Sequence, residues 1–255
     1  AGTLYFAGGT LKTLAGLTVN RSVSMIANGT VDTNGLSSTF NGVVDGGGRL
    51  TVTGGGSLTL AGANTFTGGT LIAGGSTVAI GSDAALGAPT SNVVFDNGTL
   101  KFLAGVDLVA ARPIVLEAGG GTLDLTGTST INGPIDGSGA LTVTGAGTLT
   151  LSNVNTYSGG TILKGGVLRA SMDSNLGAAS GALVFDGGTL QLAGNFDLGA
   201  ARAITLNAGG GTIDTNGFDT TAFQAINGIG GLTKAGAGLL TLMASNTYSG
   251  GTTVT

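Results

Sequence analysis

Apolar and polar residues alternate along this chain in short runs of about four, and glycine or asparagine breaks each run. Leu141-Thr142-Val143-Thr144 and Thr148-Leu149-Thr150-Leu151 put aliphatic side chains on one side and threonines on the other. Leu183-Val184-Phe185, Thr189-Leu190-Gln191-Leu192 and Ile204-Thr205-Leu206 continue the pattern. A period of two is that of a strand with one buried face, and Thr, Val, Ile and Leu suit such a pleated surface. The Gly and Asn punctuation predicts a turn after every strand. One helical stretch is predicted, Asp83-Ala84-Ala85-Leu86, with Asp173 to Leu176 as its partner, a single turn at a corner.

The pattern also returns at long range. NTFTGGT from Asn64 is followed by NTYSGGT from Asn155 and again from Asn246, at intervals of 91 residues. RLTVTGGGSLTL from Arg49, ALTVTGAGTLTL from Ala140 and GLTKAGAGLLTL from Gly231 keep the same interval. Arg21, Arg112 and Arg202 and the GTL stretches at Gly9, Gly98 and Gly188 recur with nearly the same spacing. A fixed return of this kind marks a repeat architecture. The chain divides into just under three modules of about 90 residues, approximately 1–74, 75–165 and 166–255.

Short strands between Gly corners could close a sandwich, a barrel or a solenoid. Some eight strands per module are most simply about four turns of a coil of roughly 22 residues. With aromatics at 5 %, the chain also lacks the large side chains that fill sandwich cores. The expected fold is an all-β parallel β-helix of about 11–12 coils, roughly 55 Å long. Within it the repeated heptapeptide reads as a structural corner, formed by Asn64, Phe66, Gly68 and Gly69, by Asn155, Tyr157, Gly159 and Gly160, and by Asn246, Tyr248, Gly250 and Gly251. The ring is expected inside or over a coil edge. The Gly pair serves a positive φ or a close backbone approach. The Asn is expected to adopt the left-handed conformation and bond its own backbone.

Composition narrows the chemistry. Mean hydropathy is +0.43 and charged residues are only 9 %, which is the opposite of a disordered chain. Net charge is −4 and the nine Lys and Arg are scattered, so no phosphate-binding face and no nucleic-acid partner is expected. Neither a transmembrane run nor a signal peptide is expected within these residues, so the segment itself does not insert in a membrane. Because the chain begins and ends inside its own repeat, it reads as a fragment of something longer.

Cys and His are absent, which removes disulfides, thiolate metal sites and any His-activated nucleophile. A glycosidase would need two carboxylates roughly 5–9.5 Å apart. Asp96 with Glu117, and Asp83 with Asp107, have about the spacing of one coil, but the first pair fails to recur where Asp186 meets Asn207. Gly119 to Asp124 misses the calcium nonapeptide, having Thr122 where a glycine is needed. No catalytic, cofactor or metal residue is therefore assigned, and the chain is read as no enzyme. Arg112 and Arg202 are expected to form surface pairs with Asp107 and Asp197. Lys234, aligned with the inward Val52 and Val143, is expected either at a coil edge where its ammonium reaches solvent or in a looser terminal module.

GAGTLTLSNVNTYSGGTILKGGVL, from Gly145 to Leu168, resembles the passenger-associated transport repeat of bacterial autotransporters. Ala61 to Ala73 and Ala237 to Val254 match the same repeat, and the run from Ser174 resembles the segment that follows it. The resemblance implies a right-handed β-helical passenger, exported across the outer membrane through a C-terminal β-barrel translocator outside these residues. It further implies display at the bacterial surface or secretion, with self-association or a host or cell-surface ligand as partner. The repeat brings no catalytic residue with it.

Overall fold

The computed structural model describes residues 2–255, and the chain winds through them as a parallel β-solenoid of about twelve coils. Each coil contributes strands of two to five residues to three faces, and every pairing between coils is parallel. The first face carries Leu4–Phe6, Val23–Met25 and Val44–Gly46, and further along the axis the seven strands from Thr128–Ile131 to Thr252–Val254. The second carries seven strands from Thr10–Lys12 to Ile135–Gly137, then Thr220–Ala222 and Leu240–Leu242. The third is an unbroken ladder of eleven strands from Thr18–Val19 to Ile226–Gly228.

Alternation decides what fills the coil. Phe40, Leu60, Ile80, Phe102 and Leu125 stand one above another along the third face, all fully buried. At about 4.8 Å between rungs, each side chain covers the one below, and burying one such residue contributes roughly 1.5–3 kcal/mol. The intervening positions point outward and hold hydroxyls. Ser37, Ser57, Thr77, Thr99, Thr122 and Thr142 are consecutive rungs on the third face. Thr128, Thr148, Val167, Thr189, Thr212, Thr233 and Thr253 are consecutive rungs on the first.

Coil length varies. Leu4 pairs with Val23 and Thr148 with Val167, 19 residues on, whereas Thr70 pairs with Val93 and Phe102 with Leu125, 23 residues on. The mean near 21 corrects the expected 22-residue coil, and with it the expected four coils per 91-residue interval. Thr70 opens a strand on the second face, its counterpart Thr161 one on the third, and Thr252 one on the first. Between Thr70–Ala73 and Thr161–Leu163 the chain takes thirteen face steps of seven residues on average, four full coils and one face more. Equivalent residues of successive intervals therefore sit a third of a turn apart. Asp124 and Asp214 accordingly lie on different faces, not merely at different heights.

Candidate functional site

Each heptapeptide lies where a sheet stops. On the first face the ladder stops after Val44–Gly46 and resumes at Thr128–Ile131. On the second it stops after Ile135–Gly137 and resumes at Thr220–Ala222. Three rungs fill each gap: the heptapeptide, a 3₁₀ turn (Asp83–Leu86 or Asp173–Leu176), and an extended stretch joined to the next strand by a single bridge, Leu108 to Ile131 or Leu198 to Ala222. The third heptapeptide follows Ile226–Gly228, where Thr247 donates to the Ile226 carbonyl.

Side chains replace the missing ladder. Asn64 and Asn155 are buried, and each carboxamide spans three coils. The Asn155 Oδ1 accepts from Ile135 N at 2.9 Å, one coil back, while its Nδ2 donates to the Asn175 carbonyl at 2.6 Å, one coil on. Asn64 does the same between Val44 N (2.7 Å) and the Ala85 carbonyl (2.6 Å). Asn246 accepts from Ile226 N at 2.8 Å. None of the three has a positive φ, so the expected left-handed, self-bonded asparagine is corrected. A side-chain amide has the donor and acceptor of a peptide group, and here it stands in for one.

The rings of Phe66 and Tyr157 are fully buried and Tyr248 is half-buried. The Tyr157 hydroxyl lies 2.6 Å from Thr161 Oγ1, which donates to the Leu176 carbonyl. Burial holds that phenol protonated well above its ordinary value. The paired glycines divide their work. Gly69, Gly160 and Gly251 have φ of +78°, +87° and +80°. Gly68, Gly159 and Gly250 do not, but a Cβ on them would lie 2.3 Å from the backbone of the preceding coil.

The most heavily bonded group was assigned elsewhere from sequence. Arg112 and Arg202 are completely buried and do not pair with Asp107 and Asp197. Arg202 forks onto Asp173 at 2.8 and 3.0 Å and donates to the carbonyls of Asp173, Leu176, Gly177 and Gly181. Arg112 binds Asp83 at 2.7 and 3.1 Å and the carbonyls of Asp83, Leu86, Gly87 and Ser91. Each guanidinium thus wraps the 3₁₀ turn of the preceding coil, whose backbone has no ladder on that face. Asp107 and Asp197 cap Thr130 N and Thr221 N instead. The available signal was the spacing, 29 residues from acid to arginine both times. Asn175 completes the second turn, accepting from Ser171 N and Met172 N and donating to the Asn153 carbonyl at 2.7 Å.

Other acids are also engaged. Asp83 is held by Arg112, and Asp96 accepts from Gly119 N. Asp124 pairs with Lys101 at 2.8 Å, and the corresponding Asp214 accepts from Gln191 at the same distance. Among the described residues no group of three or more His, Cys, Asp or Glu is gathered as a metal site. Val52 and Val143 are fully buried, while Lys234 is half-buried and its ammonium donates to Thr215 Oγ1 and to the Ala235 and Gly236 carbonyls. Among the described residues no helix is long and apolar enough to cross a membrane.

A parallel solenoid whose ladders are interrupted at a fixed interval by an Asn-aromatic-Gly-Gly corner is a repeat-built rod. The passenger-associated-transport-repeat family matches it at residues 50–80, 141–170 and 232–255, each match running from a strand pair through the corner into the next strand. The chain is also 37 % identical over 155 residues, 60 % of its length, to the "Adhesin BmaC autotransporter" of Brucella suis biovar 1 (strain 1330). Over those stretches the chain is similar to the transport repeats of passengers and to that adhesin autotransporter. It spans 4 % of the length of that relative. No solved structure matches it.

Proposed function

We infer that this chain is a length of stalk in a passenger exported to the bacterial surface or secreted, and that it supports adhesion or self-association without being an enzyme. The three transport repeats carry that reading, since two of them occupy ladder interruptions and the third follows the last strand of the unbroken face. Coil stacking fits export. The chain has no cysteine to bridge in transit, and each coil is ordered mainly against neighbours about 21 residues away, so the ordering entropy is offset locally. Outward hydroxyl ladders favour contact over mere spacing: a run of threonines, broken once at Val167, presents donors and acceptors along the first face. The partner class is a second copy of the passenger or a host or cell-surface ligand, with a β-barrel translocator as the export partner. The three modules, 1–74, 75–165 and 166–255, are read as its building units.

The test displays the passenger with and without residues 1–255 and measures cell aggregation and adhesion alongside the amount exported. Loss of aggregation or adhesion at equal export supports the contact reading. Unchanged binding at equal export reduces the segment to a spacer.

A further inference from the structure

We propose that each ladder interruption is a latch, which makes the solenoid open in blocks of three coils instead of one coil at a time. Ordinary rungs are held by short backbone ladders, and in a repeat array each unit contacts only its neighbours, so fraying should proceed coil by coil. The gap on the second face breaks that rule. Its 3₁₀ turn, Asp173–Leu176, is held from the preceding coil by Asn155, through its backbone N–H to Ser174 and its carboxamide to Asn175. From the following coil it is held by Arg202, through a carboxylate and four carbonyls, and by the Gly199 N–H, which reaches the Asp173 carboxylate at 3.2 Å.

Neither neighbour can leave by itself without leaving a costly remainder. Removing the coil of Arg202 strips every donor of that coil from Asp173 and from the carbonyls of Gly177 and Gly181, with no ladder to replace them, and leaves the Leu176 carbonyl only Thr161. Opening the turn while Arg202 stays leaves a fully buried cation without its partner. Unpaired buried charges and carbonyls are the most expensive states in a folded chain. The coils from Asn155 to Leu206 therefore open together, as do those from Asn64 to Leu116 around Arg112. The coils between them, laddered on all three faces, open separately.

Native-state hydrogen exchange read by mass spectrometry on the full 255-residue chain, at low denaturant, tests this. Amides of 155–206 should share one opening equilibrium with one denaturant dependence, and those of 64–116 another. Arg202→Met should speed exchange in 155–206 by ~100-fold or more while leaving 64–116 within ~3-fold, and Arg112→Met should do the reverse. Arg202→Lys keeps the charge but cannot form the fork, and should behave like Arg202→Met. Should Arg202→Met not fold, the wild-type pattern and Arg202→Lys decide. Protection that grades smoothly from the ends, with no common opening within either block, would overturn the latch. So would an Arg202 variant that speeds both blocks equally, or an Arg202→Lys variant that exchanges like the wild type.

Discussion

Tyr157 and Thr161 share a 2.6 Å hydrogen bond inside the core, and one interval earlier the same two places hold Phe66 and Thr70. Without a phenol beside it, the fully buried Thr70 Oγ1 has no partner. Phe66→Tyr should satisfy it and stabilise the chain by about 1 kcal/mol. Chemical denaturation of the two proteins side by side checks this; a loss of stability would mean the first corner cannot admit the hydroxyl.

The same phenol sets a pH dependence. Its folded value is raised above the ordinary 10.0, so above that pH the unfolded chain gives up a proton that the folded chain keeps. The folded state then binds more protons than the unfolded one, and stability falls as pH rises, by about 1.4 kcal/mol per unit from this one group. Below pH 9 the contribution is fully present. Unfolding measured at pH 9 and 11 should show that loss in the wild type, and Tyr157→Phe should lose less over the same interval.

The two corner glycines should fail for different reasons. Gly159→Ala drives a Cβ to 2.3 Å from the Gly139 backbone and should cost about 2–3 kcal/mol or more. Gly160→Ala meets the Ala182 carbonyl oxygen at 2.5 Å and also holds φ at +87°, so it combines overlap with backbone strain. Gly9→Ala, with no atom within 4 Å and no positive φ, should be tolerated within about 0.5 kcal/mol. Thermal unfolding of the three variants ranks them.

Asparagine at the corner should matter in proportion to the coils it bridges. Asn155→Ala leaves Ile135 N and the Asn175 carbonyl unpaired and should cost about 2–4 kcal/mol. Asn246 is half-buried and holds only Ile226 N, so Asn246→Ala should cost about 1–2 kcal/mol. Equal losses at both positions, measured by denaturant titration, would argue against the carboxamide acting as a ladder rung.

The strands, the Gly turns and both 3₁₀ turns were legible in the sequence, because alternation and glycine act locally. The 91-residue return was legible as well. Its pitch was not: with coils of 19 to 24 residues, no periodicity separates four turns from four and a third, and only the pairing of Thr70, Thr161 and Thr252 on three faces does. The arginines misled for a related reason. Asp107 is five residues from Arg112 in sequence, yet the chain bends so that Asp83, 29 residues away, is the acid that meets it. Asn155 was placed correctly at a break, but its partners lie 20 residues to either side, beyond what a local turn rule can see.

The extra third of a turn leaves the rod without a front or a back. Thirteen coils, about 62 Å of axis, must pass before an equivalent residue returns to the same side. Whatever a corner shows outward is offered in turn to every point of the compass, so a molecule approaching from any bearing meets the same motif, only at a different height.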